Sequence, residues 1–337
     1  MSGQPLLEIR DLEVTYKTRA GDVPVVRGAS LDLGVAGTLG LAGESGCGKT
    51  TIANAILRLL PPGTHVAGQV LLEGEDVYTM SPGRLRAVRW TELAVVFQGA
   101  LHSLDPVQRV GKQIAEAIDL HTTQPRSATR SRVGELLEQV GLPARRADDY
   151  PHQLSGGQRQ RVMIAMALAC DPAVLIADEP TTGLDVMVQA QVLDLLQRLQ
   201  RERDLAVLFI THDLSVLTYV CEHLAVMYAG RIIEEGPSAT VFEQPQHPYT
   251  RALAAAFPTI GDPTSRMRPS GLAGDPPDPQ HIPSGCPFHP RCDVAEARCS
   301  TLDVKLSPAG PDRRAACVKV GSGEVEIGRD RSGVGAE

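Results

Sequence analysis

The chain has 337 residues, of which 42% are hydrophobic and 22% are charged. These values suit one large or two modest globular domains and exclude disorder over the whole length. The formal net charge of −7 excludes a global basic field of the kind that gathers nucleic acid. The sequence has no long apolar run and no secretory pattern, so we expect a cytosolic chain whose seven cysteines are reduced.

The first predicted elements are short antiparallel strands, followed by a strand, a loop and a helix. Broken apolar alternation predicts strands within residues 7–16, 23–26 and 31–33. A short apolar run at residues 39–42 then ends in a glycine-rich turn. Residues 50–60 predict a helix that stops before Pro61.

The rest of the chain alternates strands with helices and then becomes irregular. Further strands are predicted at 69–72, 94–97, 174–177, 205–210, 224–228 and 231–234. Helices are predicted at 110–120, 132–140, 158–170 and 186–203. The continuous apolar runs at 174–177 and 205–210 are typical of parallel strands buried on both faces. Beyond residue 257 prolines multiply, which predicts an irregular segment that cannot form a core without help.

Residues 43–50 carry the phosphate-loop pattern, Gly-Glu-Ser-Gly-Cys-Gly-Lys-Thr, between a predicted strand and a predicted helix. Glycines let backbone N–H groups curl around phosphate oxygens, and the helix N-terminus adds its positive dipole end. Lys49 would reach the β- and γ-phosphates, and the Thr50 hydroxyl would bind Mg²⁺. The candidate nucleotide contacts are Gly43, Glu44, Ser45, Gly46, Cys47, Gly48, Lys49, Thr50 and Thr51. We assign the Cys47 thiol no chemical role, since the loop requires only a small residue there.

Two adjacent acids, Asp178 and Glu179, end the apolar run at 174–177. Buried strands seldom end in adjacent carboxylates without a cation nearby. Asp178 would hold Mg²⁺ through water, and Glu179 would orient and deprotonate the attacking water. His212 follows the next predicted strand and could touch the γ-phosphate edge, although a structural histidine is the simpler interpretation of that residue alone.

A second anion-binding helix terminus is predicted at residues 154–158, which read Leu-Ser-Gly-Gly-Gln before a helix. The candidate residues are Ser155, Gly156, Gly157 and Gln158. One ATP cannot use both loops of one molecule.

With these motifs in order, residues 6–257 resemble the ATP-binding cassette (ABC) family. In that family, subunits pair head to tail and close two nucleotides between the phosphate loop of one and the signature of the other. The resemblance implies that Tyr16 stacks on adenine, that Gln98 senses Mg²⁺ and couples the site to a membrane partner, and that Asp185 belongs to the nucleotide site. Gly99 and Gly183 depart from the usual pattern without removing a catalytic group.

The resemblance implies a fold and a domain organisation. We expect an α/β P-loop NTPase cassette, with a RecA-like core, an antiparallel β-subdomain and a helical subdomain near 99–165. A cysteine-rich extension is expected at 258–320, and residues 321–337 are expected to be disordered.

Finer features resemble the ATPase subunits of oligopeptide and dipeptide importers. The matching stretches are 150–157, 161–168, 176–186, 247–253 and 285–292. The resemblance implies ATP hydrolysis that drives peptide import, by a peripheral protein on the cytoplasmic face of the cell membrane. It further implies a paralogous ATPase partner, two transmembrane permease subunits and an extracytoplasmic binding protein, with no role for nucleic acid. Import of nickel or glutathione remains an alternative, and a soluble non-transport ABC ATPase is a more distant one.

Four cysteines crowd into the last part of the chain, at positions Cys286, Cys292, Cys299 and Cys317. Their spacing is similar to that of the family's cysteine-rich tail, which holds a [4Fe–4S] cluster in some members. Zinc is the rival, but structural zinc sites usually bring cysteines in closely spaced pairs. Free thiols are the third possibility. A metal group would supply folding free energy to a segment poor in apolar residues.

Overall fold

The computed structural model describes residues 4–99, 103–256, 272 and 274–320. The described residues divide into two compact units. Among the described residues, unit one takes in 4–8, 32–38, 71–99 and 103–210, and unit two takes in 9–31, 39–70, 211–256, 272 and 274–320. The predicted disordered tail at 321–337 lies outside the described residues, as does the stretch 257–271.

The helices and strands are given in chain order. The first half contains β1 (Leu7–Thr18), β2 (Gly21–Leu33), β3 (Thr38–Ala42), α1 (Lys49–Ile56), β4 (His65–Leu72), β5 (Glu75–Asp76), α2 (Pro82–Thr91), β6 (Leu93–Val96), α3 (Val110–His121), α4 (Arg126–Gln139) and α5 (Gly156–Ala167). The second half contains β7 (Val174–Asp178), α6 (Val186–Glu202), β8 (Ala206–Thr211), α7 (Leu214–Val220), β9 (His223–Tyr228), β10 (Arg231–Pro237), α8 (Ser238–Glu243), α9 (Pro248–Ala256), β11 (Ser307–Pro308) and β12 (Arg314–Ala315).

Unit one contains three parallel strands in the order β6, β7, β8. Every residue of β7 and β8 is buried, so these strands are continuous apolar runs rather than alternating ones. The register places Asp178 opposite Ile210, at the carboxyl ends of both strands. Helices α3, α4 and α5 contact one another, as the predicted helical section requires.

Unit two contains a second set of paired strands. β3 runs parallel to β9, β9 runs antiparallel to β10, and the short strands β12 and β11 extend this order. Ala229 and Gly230 turn the β9–β10 hairpin at φ of 46° and 82°, as the sequence predicts. β1 lies between β2 and β4 in a separate sheet.

Several predicted boundaries are wrong. β2 is one strand, where the pattern predicts two, because Gly28 at φ 78° interrupts the alternation within it. α1 ends at Ile56 instead of residue 60, since Arg58 adopts φ 51° and closes the helix. The α5 helix begins two residues before the expected Gln158, and it ends at Ala167 rather than at 170. Helix α2 has no counterpart in the sequence prediction.

The C-terminal segment, defined here as residues 274–320, is more ordered than its composition suggests. It contains the 3₁₀ helices His289–Arg291 and Ala297–Ser300, and its β12 pairs with β10. Phe288 and Ala315 are buried. Along the described parts of the chain, none of the helices combines the length and the apolar character needed to cross a membrane.

Candidate functional site

The phosphate loop lies in unit two, between β3 and α1. A Cβ on Gly43 would lie 2.3 Å from the Met227 carbonyl oxygen, and one on Gly48 would lie 2.8 Å from the Val25 carbonyl oxygen. Both glycines also adopt positive φ, at 155° and 113°. The loop path therefore requires glycine at both positions.

The N-terminus of α1 is open to an anion. Gly48 is its N-cap, no side chain caps it, and its first turn contains no acidic residue. The Lys49 ammonium is buried and donates hydrogen bonds to the carbonyl oxygens of Gly43 at 2.7 Å and Glu44 at 2.9 Å. Free backbone N–H groups at a helix start, next to a lysine, form an anion-binding arrangement.

Cys47 is a structural residue of the loop. Burial raises the pKa of its thiol, and its Sγ lies 3.8 Å from the Lys49 Nζ. A Cβ on Gly43 would lie 2.7 Å from this sulfur. The thiol therefore fills the space behind the loop.

Tyr16 is half-buried on β1, and its hydroxyl lies 3.2 Å from Thr51 Oγ1, on the first turn of α1. This bond fixes one end of the phenol ring near the helix start. Ser45, Gly46 and Thr50 are exposed. Unit two therefore brings together the predicted adenine-stacking residue and the predicted phosphate contacts.

Asp178 and Glu179 lie at the carboxyl end of β7 in unit one. Asp178 is 2% exposed. The Glu179 backbone N–H donates to the Ile210 carbonyl oxygen at 2.8 Å, and Glu179 adopts φ 47°. The Thr182 hydroxyl donates to the Glu179 carboxylate. A non-glycine residue at positive φ is uncommon and marks a position with a specific local requirement.

The predicted signature forms the start of α5 in unit one. Ser155 is the N-cap, and its hydroxyl accepts from the Gln158 N–H at 3.3 Å, while the Gln158 side chain accepts from the Ser155 N–H at 3.0 Å. A Cβ on Gly157 would lie 2.3 Å from Val188 on α6. The motif is thus a capping box with a glycine that permits close helix packing.

The other predicted site residues occupy the ends of elements. Gln98 is exposed, two residues beyond β6. Asp185 caps α6, where its carboxylate accepts from the Met187 and Val188 N–H groups at 3.1 and 3.0 Å. His212 is exposed after β8, and the next residue, Asp213, caps α7.

Two contacts of the phosphate loop have no sequence signal. The Glu44 N–H donates to the Tyr249 hydroxyl oxygen at 2.9 Å. The Glu44 carboxylate accepts two bonds from the Arg291 guanidinium, at 2.7 and 2.9 Å. Both partners lie in stretches that carry the peptide-importer resemblance. They are far from residue 44 in the sequence, and no pattern in the sequence predicts that they contact it.

The four late cysteines line one small cavity, together with Phe288 and His247. Burial raises the pKa of the Cys286 thiol to about 11, and the other three cysteines contribute to the shift. Within the described ranges, however, no group of three or more His, Cys, Asp or Glu residues is arranged to hold a metal ion.

Family comparisons match two parts of the chain. Residues 26–182 match the ABC transporter family. Residues 233–299 match the oligopeptide/dipeptide transporter C-terminal region. The second match includes three of the four clustered cysteines, Cys286, Cys292 and Cys299.

Curated relatives cover nearly the whole chain. A Brucella abortus protein, named provisionally as a peptide import ATP-binding protein, is 45% identical over 309 residues, which cover 91% of this chain and 92% of that protein. The oligopeptide transport ATP-binding protein OppD of Bacillus subtilis is 44% identical over 294 residues, which cover 86% of this chain and 82% of OppD.

A solved structure shares the cassette. The dimeric structure of MJ0796, a bacterial ABC transporter cassette, superposes with a TM-score of 0.62 at 28% identity, over 69% of this chain and 98% of that one. The same cassette has been solved in a post-hydrolysis state bound to ADP and Pi, with the same TM-score. The chain therefore belongs to the ABC transporter family of ATP-binding proteins, and it carries the C-terminal region of the oligopeptide/dipeptide transporters.

Proposed function

We propose that this chain is the ATP-hydrolysing subunit that powers import of di- and oligopeptides through a multisubunit ABC importer. The observation that carries the proposal is the joint presence, in one chain, of the ABC transporter match and the peptide-transporter C-terminal match. Hydrolysis yields ADP and phosphate, and no phosphoryl group passes to another acceptor.

The triphosphate is held by the backbone N–H groups of residues 43–48 and by the first turn of α1. Lys49 exchanges its two loop carbonyls for the β- and γ-phosphates, to which a charged donor binds more strongly. Tyr16 stacks on adenine, and its bond to Thr51 orients the ring. The uncapped helix start supports this assignment.

The Mg²⁺ ligands are assigned to Thr50, Gln98 and Asp178. A hydroxyl, an amide and a carboxylate supply hard oxygen donors, which suit this ion. When bound there, Mg²⁺ would neutralise the negative charge that develops during phosphoryl transfer.

Glu179 is the general base that orients and deprotonates the attacking water. Its backbone is fixed by the bond to Ile210, and its carboxylate is fixed by Thr182. Glu179→Gln should keep ATP binding and stop turnover, because an amide cannot accept the proton. Undiminished ATPase activity of this variant in the assembled transporter would show that Glu179 is not the base.

The signature residues Ser155, Gly156, Gly157 and Gln158 act on a nucleotide held by the phosphate loop of a second subunit. We assign that subunit as a paralogous ATPase paired head to tail. Asp185 shapes the loop that joins β7 to α6, since its carboxylate caps α6. His212 contacts the γ-phosphate edge.

Two transmembrane permease subunits and an extracytoplasmic peptide-binding protein complete the importer. Gln98 couples the nucleotide site to the permease subunits. The chain is assigned to the cytoplasmic face of the membrane as a peripheral protein. We divide it into a cassette at 6–257, with a helical subdomain near 99–165, and a cysteine-rich extension at 258–320.

Peptide uptake tests the transport assignment. Cells that depend on this importer should take up a labelled tripeptide with the native chain and lose that uptake with Glu179→Gln. Nickel or glutathione uptake without peptide uptake would move the chain to the alternative substrate class.

The four clustered cysteines are proposed to hold a [4Fe–4S] cluster. The support is that Cys286, Cys292, Cys299 and Cys317 line one cavity, since four thiolates are the usual ligands of such a cluster. Zinc is the rival, but structural zinc sites usually bring cysteines in pairs about two to four residues apart, and these cysteines are spaced more widely. When bound, the cluster adds folding free energy to the C-terminal segment.

Iron and sulfide analysis of protein purified without oxygen tests the cluster. About four of each per chain, with broad visible absorption, is the expected result. Cys292→Ser should lower the iron content, whereas Cys170→Ser, which changes a cysteine outside the cavity, should not. Zinc in place of iron, or no metal, would contradict the cluster and leave the ATPase assignment in place.

A further inference from the structure

The second residue of the phosphate loop, Glu44, is held by one residue of α9 and one residue of the C-terminal segment. Its backbone N–H donates to the Tyr249 hydroxyl on α9, at 2.9 Å. Its carboxylate forms a two-bond pair with the Arg291 guanidinium in the C-terminal segment. Both the main chain and the side chain of Glu44 are therefore fixed by distant parts of unit two.

Arg291 is held in place by several contacts within unit two. Its side chain is 8% exposed, and its guanidinium carbon lies 5.9 Å from the ring centres of Tyr228 and Phe288. It also donates to the Tyr228 hydroxyl at 3.3 Å. A planar guanidinium that lies near two aromatic rings and forms two hydrogen bonds to a carboxylate loses little further freedom when it acts on that carboxylate.

The turn that carries Arg291 runs between two of the clustered cysteines. The His289 N–H donates to the Cys286 carbonyl oxygen at 3.0 Å, and the Arg291 N–H donates to that of Phe288 at 2.9 Å. The Cys292 N–H closes the turn onto His289. Whatever fixes Cys286 and Cys292 therefore also fixes the backbone turn from which the Arg291 side chain reaches Glu44.

A second feature brings the C-terminal segment to the same loop. A cavity of about 220 Å³ is lined on one side by residues 44–47 and on the other by residues 276–279 and Ile282. The C-terminal segment thus borders the phosphate loop at two places, which are the Arg291–Glu44 ion pair and this cavity.

The charge of Glu44 makes the ion pair relevant to ATP. ATP brings several negative charges to the loop, and a carboxylate in that loop would oppose their approach if it were not neutralised. Arg291 neutralises it and turns it toward the C-terminal segment.

We propose that Arg291 is a positioning residue of the ATP site, through which the C-terminal segment and nucleotide binding stabilise each other. Because such coupling is reciprocal, bound ATP also stabilises the turn at 286–292. The inference rests on ATP binding at the phosphate loop, and it depends neither on the peptide substrate nor on the identity of the metal group.

Equilibrium binding of ATP with Mg²⁺ to the full-length chain tests the proposal, with every variant in a Glu179→Gln background to prevent hydrolysis. Arg291→Gln should lower ATP affinity about tenfold, a typical size for coupling between sites. Arg291→Lys should recover part of the loss, since it keeps the charge without the two-bond geometry. In chains that also carry Glu44→Gln, Arg291→Gln should lower affinity less than about threefold, because no charge needs neutralising.

Arg251→Gln is the matched control. Arg251 also pairs with the C-terminal segment, through Asp293 next to Cys292, but it does not touch the phosphate loop. ATP affinity should stay unchanged in this variant. Equal losses for Arg251→Gln and Arg291→Gln would show that the segment acts only through its own folding and would overturn the proposal.

Proteolysis supplies a readout that does not depend on affinity. ATP should slow cleavage within residues 284–292 of the wild-type chain and should have a smaller effect in Arg291→Gln. Unchanged ATP affinity in Arg291→Gln would overturn the positioning role. So would an equal loss of ATP affinity on Arg291→Gln in chains with Glu44 and in chains that carry Glu44→Gln.

Discussion

Strands β7 and β8 and the C-terminal segment are ordered by different forces. Each strand is a run of buried residues paired with its neighbour, and its order comes from apolar burial and a regular hydrogen-bond ladder. The C-terminal segment contains two short strands, two 3₁₀ helices and few buried apolar residues, and arginine pairs also tie it to the rest of unit two. Burial is non-directional, whereas an arginine pair requires one partner in one place.

This difference determines which changes should destabilise each region. Apolar packing depends little on pH or salt. The stability that it loses on substitution follows the volume of side chain removed. A buried ion pair loses its balance when one partner is removed, because the remaining charge stays out of water. Substitutions, pH and salt should therefore separate the two regions.

The largest effect on stability is expected at the Arg313–Glu234 pair. Glu234 is fully buried and Arg313 is 5% exposed. Glu234 also accepts the N–H groups of Gln246 and His247, at 2.8 and 2.9 Å. Arg313→Met should reduce the free energy of opening of this region by about 3–5 kcal/mol, since it leaves a buried carboxylate without its cation. Hydrogen exchange of the His247 amide measures that free energy.

Two controls isolate the charge. Arg314→Met changes the next residue, which is the first of β12, and removes a pair with Glu235 in which the Arg314 side chain is 51% exposed. This variant should cost less than about 1 kcal/mol. Adding Glu234→Gln to Arg313→Met should restore part of the lost stability, because the buried charge is then gone. No restoration would mean that Arg313 acts through packing alone.

Leu208→Ala tests the apolar side of the comparison. Leu208 is 1% exposed in the centre of β8, and the substitution should cost about 3 kcal/mol from lost burial and a new cavity. Urea unfolding of unit one, followed by the fluorescence of Trp90, measures the change. The loss should be the same in low and high salt, and a strong salt dependence would show that charges contribute to the order of these strands.

The sequence predicts the apolar side of the comparison well. A continuous apolar run is a local signal, so β7 and β8 and the acids at the end of β7 could be placed without a structure. The phosphate loop is equally recognisable because its pattern residues are consecutive, although Gly43 and Gly48 also leave room for the distant carbonyl oxygens of Met227 and Val25. The capping box at Ser155 and Gln158 also lies within four residues.

The C-terminal segment could not be predicted in the same way. Arg291 and Glu44 are 247 positions apart, and Arg313 and Glu234 are 79 apart. A single arginine in a proline-rich stretch carries no information about which carboxylate it meets. The sequence therefore predicts a segment that needs help to fold, and the structure adds that the help includes long-range ion pairs.

The buried His247 gives this region a dependence on pH. Burial lowers the pKa of its imidazole to about 3, and its Nδ1 accepts the Tyr249 N–H at 3.0 Å. In the unfolded chain the group titrates near its ordinary pKa of about 6.5. Below that pH the unfolded state binds more protons, so stability should fall by about 2 kcal/mol between neutral pH and pH 5.

His247→Asn removes the titration and keeps an acceptor for the Tyr249 N–H. The stability of this variant should change less with pH than that of the wild type between pH 7 and 5, when each is compared with its own value at pH 8. Parallel pH profiles for the two proteins would show that His247 is not the titrating group.

The smallest effect is expected at the exposed pair of Arg231 and Asp303. Arg231 lowers the pKa of the Asp303 carboxyl group, and the Asp303 side chain is 53% exposed. The pair should contribute less than about 1 kcal/mol after solvent screening. This contribution should be complete above the ordinary pKa of about 3.9 and should disappear as the pH falls through the lower folded-state value. The difference in stability between the wild type and Asp303→Asn measures this contribution. Salt at about 0.5 M should shrink that difference, because it screens exposed charges. If this stability difference persisted at low pH and in high salt, the Arg231–Asp303 pair would behave like the buried pairs. Solvent exposure would then not explain why the arginine pairs of the C-terminal segment differ in strength.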